Sequence, residues 1–128
     1  MKTTLSILSL SLFILLSSFT YNSGIDDIIA AMKTGNASQV AKFFDNNVEI
    51  SMPDKSNSYS KSQGELVLKD FFTNNVVKSF DIIHKGENAG SQYCIGTLVT
   101  KSGSFRTTIF MKQKGDQQVL QELRFENR

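Results

Sequence analysis

Apolar residues recur at helical spacing in the first half of this chain and at alternate positions in the second. Ile25, Ile28, Ile29 and Met32 follow the i, i+3, i+4, i+7 rhythm of one buried helix face. Ser23 with Asp26 resembles a capping box at its start, and Lys33 with Gly35 fits its end. Asn36 with Gln39 reads as a second cap, and Val40, Phe43 and Phe44 place a short second helix on the core. Asp45-Asn46-Asn47 breaks it. Val48, Ile50 and Met52 then alternate with Glu49 and Ser51, the period of a half-buried strand, which Pro53-Asp54 ends before a polar loop through Asn57 and Ser58. A third helix is capped by Ser60 with Gln63 or by Ser62 with Glu65. Leu68, Phe71 and Phe72 form its buried stripe, widened by Leu66 and Val67, and Asn74-Asn75 stops it.

The remainder reads as strand and turn. Runs 76–84, 92–101, 105–114 and 119–125 are separated by the segment from Lys85 to Gly90, by Ser102-Gly103 and by Gly115-Asp116. Short turns between long strands specify an antiparallel meander. Helices that precede a run of strands give an α+β domain. By parity, Phe105, Ile109 and Met111 face the helices, as do Val119, Leu123 and Phe125. Arg106, Lys112, Glu122 and Arg124 take the other face.

Residues 1–22 follow a different rule. Lys2 precedes an apolar stretch from Leu5 to Phe19 diluted by serines, and no acid appears before Asp26. This reads as a signal peptide, with residues 23–128 as one domain exported to the periplasm or beyond. The alternative is an uncleaved N-terminal anchor, although the apolar block is short against the ~20 residues of a bilayer span. After cleavage no stable membrane span is expected. The single cysteine is Cys94, far from the apolar block, so a lipoprotein signal is not expected and an internal disulfide is not available. Between Tyr93 and Ile95 it reads as a small buried hydrophobe. Without Lys2 the chain carries 13 basic against 12 acidic residues, a balance that disfavours nucleic acid as a partner.

Several segments together resemble a known superfold. They are Ile28-Ile29-Ala30-Ala31-Met32-Lys33-Thr34-Gly35-Asn36, Phe43-Phe44-Asp45, Lys69-Asp70-Phe71-Phe72, His84-Lys85-Gly86, Tyr93-Cys94-Ile95-Gly96-Thr97-Leu98 and Phe105-Arg106. The chain is similar to the nuclear transport factor 2-like (cystatin-like) superfold, and within it to a small, secreted, uncharacterised family found mainly in Bacteroidota. The resemblance implies helices packed on a strongly curved antiparallel sheet, a cone that encloses a pocket, and in many members a homodimer through the outer sheet face. That superfold hosts isomerases, cyclases, dehydratases and non-catalytic binders, so the fold does not select an activity.

Candidate chemistry is sparse. Catalysis inside such a cone needs a carboxylate or histidine tuned by burial. His84 shares parity with Phe80 and Ile82, but no residue-by-residue match to a known acid–base set is found. Thr107 and Gln121 are polar at core-facing positions, where a hydroxyl or amide must be hydrogen-bonded. With Tyr59, Tyr93 and His84 they make the candidate pocket. One histidine and one cysteine do not form a metal site, and no cofactor motif is seen. The expectation is a non-catalytic domain that binds a small apolar ligand or an envelope protein. One alternative is an isomerase-, cyclase- or dehydratase-type enzyme using His84 or an acid. Another is a structural interaction module, with Phe110, Leu98 and Leu120 as an exposed outer patch.

Overall fold

The computed structural model describes residues 24–128, so the signal-like segment and the Ser23 cap lie outside the described residues. Helix α1 spans Gly24–Thr34 and α2 Ala37–Ala41. Strands β1 (Phe44–Ser51) and β2 (Ser56–Ser60) lead into α3 (Lys61–Asn74). Four long strands complete the chain: β3 (Val77–Asn88), β4 (Ser91–Thr100), β5 (Gly103–Lys114) and β6 (Gln117–Asn127).

The helix boundaries follow local chemistry. Gly35 stands at φ 65° past the end of α1, a conformation that costs glycine little. Asn36 Oδ1 accepts from the Gln39 backbone N–H at 3.2 Å to start α2. Ser60 Oγ accepts from Gln63 N–H at 3.3 Å, which selects the first of the two possible caps for α3. The buried faces are Ile25, Ile28, Ile29, Ala31 and Met32 on α1 and Leu68, Phe71 and Phe72 on α3. Leu66 does not widen that stripe: it is 66% exposed, because its position on α3 turns it away from the sheet.

The sheet has six strands in the order β2-β1-β6-β5-β4-β3. The β3-to-β6 meander is antiparallel, as expected. β1, however, pairs with β6 in parallel, so the sheet is mixed. Four sequence expectations are corrected. Phe44 does not end a helix but opens β1, and Asn46-Asn47 lie inside that strand. The polar loop through Asn57 and Ser58 is strand β2, whose backbone pairs with β1 despite a serine-rich composition. β3 does not stop at His84 but continues to Asn88, pairing Lys85, Gly86 and Glu87 with Cys94, Tyr93 and Gln92. In β6 the register slips, with Phe110 opposite Glu122 and Met111 opposite Leu120. That slip leaves Gln121 as an extra residue and turns Leu120, not Val119, into the core.

All three helices lie on one face of the sheet. Cys94, Leu98, Phe105, Ile109, Met111, Leu120, Leu123 and Phe125 meet them there. Phe71 stacks on Phe125 with centroids 4.2 Å apart and meets Phe105 edge-on at 5.2 Å, which fills the space under α3. Gly64 lets α3 approach β1, since a Cβ there would lie 2.7 Å from Val48 Cγ1. No described helix is long and apolar enough to cross a membrane.

Candidate functional site

The inner surface of the curved sheet is the first place to look for a pocket. Thr107 lies there, fully buried, with Ile109, Met111, Leu123, Phe125 and Leu98 also at 0% exposure. Its hydroxyl donates to the Phe105 carbonyl of its own strand at 3.4 Å. The inner face beneath the helices is thus occupied by side chains. Grooves run along the surface. One, of about 440 Å³, is bordered by Met52, Pro53, Val67, Phe71, Asn74 and Phe105. Another, of about 430 Å³, lies at the start of α1 beside Lys42, Phe43, Lys61, Asp116 and Gln118.

The five residues singled out from the sequence do not converge. Tyr59 sits on edge strand β2 opposite Val48, half-buried against the core, with its hydroxyl accepting from Asn57 Nδ2 at 3.4 Å. Three strand spacings, roughly 14 Å, separate β2 from Thr107 on β5. Gln121, at the β6 bulge, donates to Asp45 Oδ2 at 3.4 Å. It belongs to a small cluster that locks β1 to β5: Lys114 Nζ lies 2.8 Å from Asp45 Oδ1, and the Asn46 backbone N–H donates to the same carboxylate. The Lys114 hydrogen bond, then the Asn46 and Gln121 contacts, hold the Asp45 carboxyl below its ordinary range against a smaller opposing effect of burial.

His84 and Tyr93 do meet, but outside the cone. A one-residue slip in β3 places Ile82 opposite Gly96 and His84 opposite Ile95. Ile83 is the extra residue, and beyond it the strand's facing reverses. His84 therefore shares the outer face with Tyr93, and its Nε2 lies 2.7 Å from the Tyr93 hydroxyl. The Tyr93 ring lies across Gly86, where a Cβ would come within 2.8 Å of ring atoms. His84 is exposed, so the idea of a buried acid–base cavity around it loses its main support. Among the described residues, no group of three or more His, Cys, Asp or Glu side chains is placed to hold a metal ion.

The outer sheet face holds a feature that the sequence reading misassigned. Leu98 and Leu120 are fully buried on the inner side and contribute nothing to it. Its apolar row is instead Phe110, Tyr93, Ile95 and Val99, all half-buried. Phe110 stands opposite Tyr93, and Ile95 opposite Thr108. Arg124, bonded to Glu122 at 2.6 Å and reaching Glu126 at 3.7 Å, borders the row on β6. Strand parity alone identifies Phe110. Tyr93, Ile95 and Val99 follow once Cys94 and Leu98 are assigned inward. On the inner side, burial pushes the Cys94 thiol pKa up.

Helices on one side of a curved six-stranded sheet, with the other side uncovered among the described residues, define an α+β cone of the nuclear transport factor 2-like class. Residues 25–126 match the family described as "Domain of unknown function (DUF4783)", and the chain belongs to that family. It is similar to a DUF4783 family protein of Bacteroides uniformis, with 29% identity over 80% of this chain and 95% of that one, at a TM-score of 0.78. A family protein of Bacteroides ovatus is 28% identical over 80% and 93% of the two chains, at 0.77. An NTF2-like protein of unknown function from Cytophaga hutchinsonii shares the fold at a TM-score of 0.60, with 11% identity over 84% and 91%. A search of curated proteins finds no match.

Proposed function

We propose that this protein is an exported, non-catalytic binding domain that engages an envelope protein partner through the outer face of its sheet. The observation that carries the reading is the distribution of side chains between the two faces. The inner face is packed under the helices, with Thr107 and its apolar neighbours out of reach of solvent. Among the described residues the small-ligand version thus meets side chains where its chamber would lie, and it is the weaker of the two. The outer face presents Phe110, Tyr93, Ile95 and Val99 between charged flanks, a mixture suited to a protein surface. Export is supported by the signal-like pattern of residues 1–22 and agrees with the Bacteroides relatives.

A photo-crosslinking residue tests this reading. Placed at Ile95 in the producing cell, it should join the chain to an envelope protein. Placed at Leu66 on the opposite, helical side, it should not. Equal yields from both positions, or none from Ile95, would overturn the proposal.

A further inference from the structure

The two edges of the sheet are unlike. β2 is five residues long and made of serine, asparagine and tyrosine, a short polar edge of the kind that does not invite pairing. β3 is twelve residues long and pairs only with β4 among the described residues. At its middle stand Ile82 and Ile83, 44% and 54% exposed, two of the four large hydrophobics most open to solvent among the described residues. A long edge with an apolar centre and free backbone donors and acceptors is a template for strand addition.

We infer that β3 pairs antiparallel with β3 of a second copy, about a two-fold axis between Ile82 and Ile83. In this register each Ile82 faces the second copy's Ile83, each Asp81 its His84, and each Ser79 its Gly86. In an uninterrupted strand this pairing would fail. Opposed residues would point to opposite faces, because they lie an odd number of positions apart. The bulge at Ile83 removes that conflict. Asp81 and His84 both stand opposite odd-numbered, outer-face residues of β4, Thr97 and Ile95. Phe80 and Lys85 both stand opposite inner-face residues, Leu98 and Cys94. One extra residue therefore makes the strand self-complementary in facing from Ser79 to Gly86; a second slip, between Val77 and Ser79, ends the match there. The axis then sets an Asp81 carboxylate opposite a His84 ring on the outer face twice over, an acceptor against a ring that can donate a hydrogen bond. The inference concerns a different surface from the outer-face reading and does not depend on it.

The test is sedimentation equilibrium on the chain as its host processes it, with native mass spectrometry to read the N-terminus. The wild type should be a dimer with a roughly micromolar dissociation constant, as suits a small interface. Ile83→Lys, which sets two ammonium groups at the axis, should leave a monomer with an unchanged circular dichroism spectrum. Asp81→Lys should weaken the dimer about tenfold, and adding His84→Asp should restore it to within about twofold. A monomeric wild type, including one whose β3 amides are protected by its own N-terminal segment, would overturn the inference. So would a dimer indifferent to Ile83→Lys. A dimer broken only by Ile95→Lys would move the contact to the outer face, which overturns this inference and leaves the outer-face reading standing.

Discussion

Replacing Thr107 by valine exchanges a hydroxyl for a methyl at nearly constant shape, in a position with no exposed surface. The hydroxyl has one partner, the Phe105 carbonyl at 3.4 Å, which is long against the 2.7–2.8 Å optimum for such bonds, roughly speaking. Leaving a buried hydroxyl poorly satisfied costs about 1–3 kcal/mol, whereas a typical hydrogen bond returns about 0.5–1.5 kcal/mol. The valine methyl adds burial of about 0.8 kcal/mol. If the inner face is the dry, filled core described above, Thr107→Val should stabilise the domain by about 0.5–1.5 kcal/mol. For a domain of this size that is a rise of about 3–8 °C in Tm. Urea and thermal unfolding followed by circular dichroism measure both quantities. A fall of similar size would overturn the filled-core description, since the hydroxyl would then hold a stronger partner, such as a water or ligand within the cone.

Two glycines offer a matched contrast. At Gly96 a new Cβ would lie 2.6 Å from the Phe80 ring and 2.8 Å from the Asp81 carbonyl oxygen, so Gly96→Ala should cost about 1–3 kcal/mol in urea unfolding. At Gly86 the obstacle is the half-buried Tyr93 side chain, which can swing outward. Gly86→Ala should cost less than about 1 kcal/mol, with loss of the His84–Tyr93 contact seen in the histidine NMR signals. The Asp45 carboxyl is held below its ordinary range when folded, so its contribution to stability is present above the unfolded pKa and is lost as pH falls through the folded one. Asp45→Asn should flatten the acid limb of the stability–pH profile below about pH 4 and leave its slope at neutral pH unchanged. Cys94, buried with a raised thiol pKa, should react with a thiol reagent only as fast as the domain opens, and at once in denaturant.

The helices were legible because their signals are local. Asn36 and Ser60 cap through neighbours three residues on, and the buried stripes follow from spacing alone. Alternation likewise identified the strands from β3 onward. What escaped was set by partners distant in sequence. β2 has a loop's composition and is a strand only because β1 supplies its ladder. The parallel pairing of β1 with β6 joins chain segments far apart, and no local pattern encodes it. The site readings failed at bulges. Parity counting groups His84 with Phe80 and Ile82, open to an inward or rim position, but the extra residue Ile83 turns it to the outer face. A second slip between Phe110 and Met111 exchanges Val119 for Leu120 in the core and brings Gln121 to Asp45. A one-residue insertion leaves no mark in composition, yet it reassigns every side chain beyond it.

A filled cone and recognition by the outer sheet face together fix what the protein should carry in its own envelope. Native mass spectrometry of the protein taken from that envelope, with Ile95→Lys as the paired sample, reads this out. The expected complexes have the added mass of polypeptide, and the envelope partner is lost from the Ile95→Lys sample. A retained adduct of small-molecule size, present equally in both samples, would contradict that expectation.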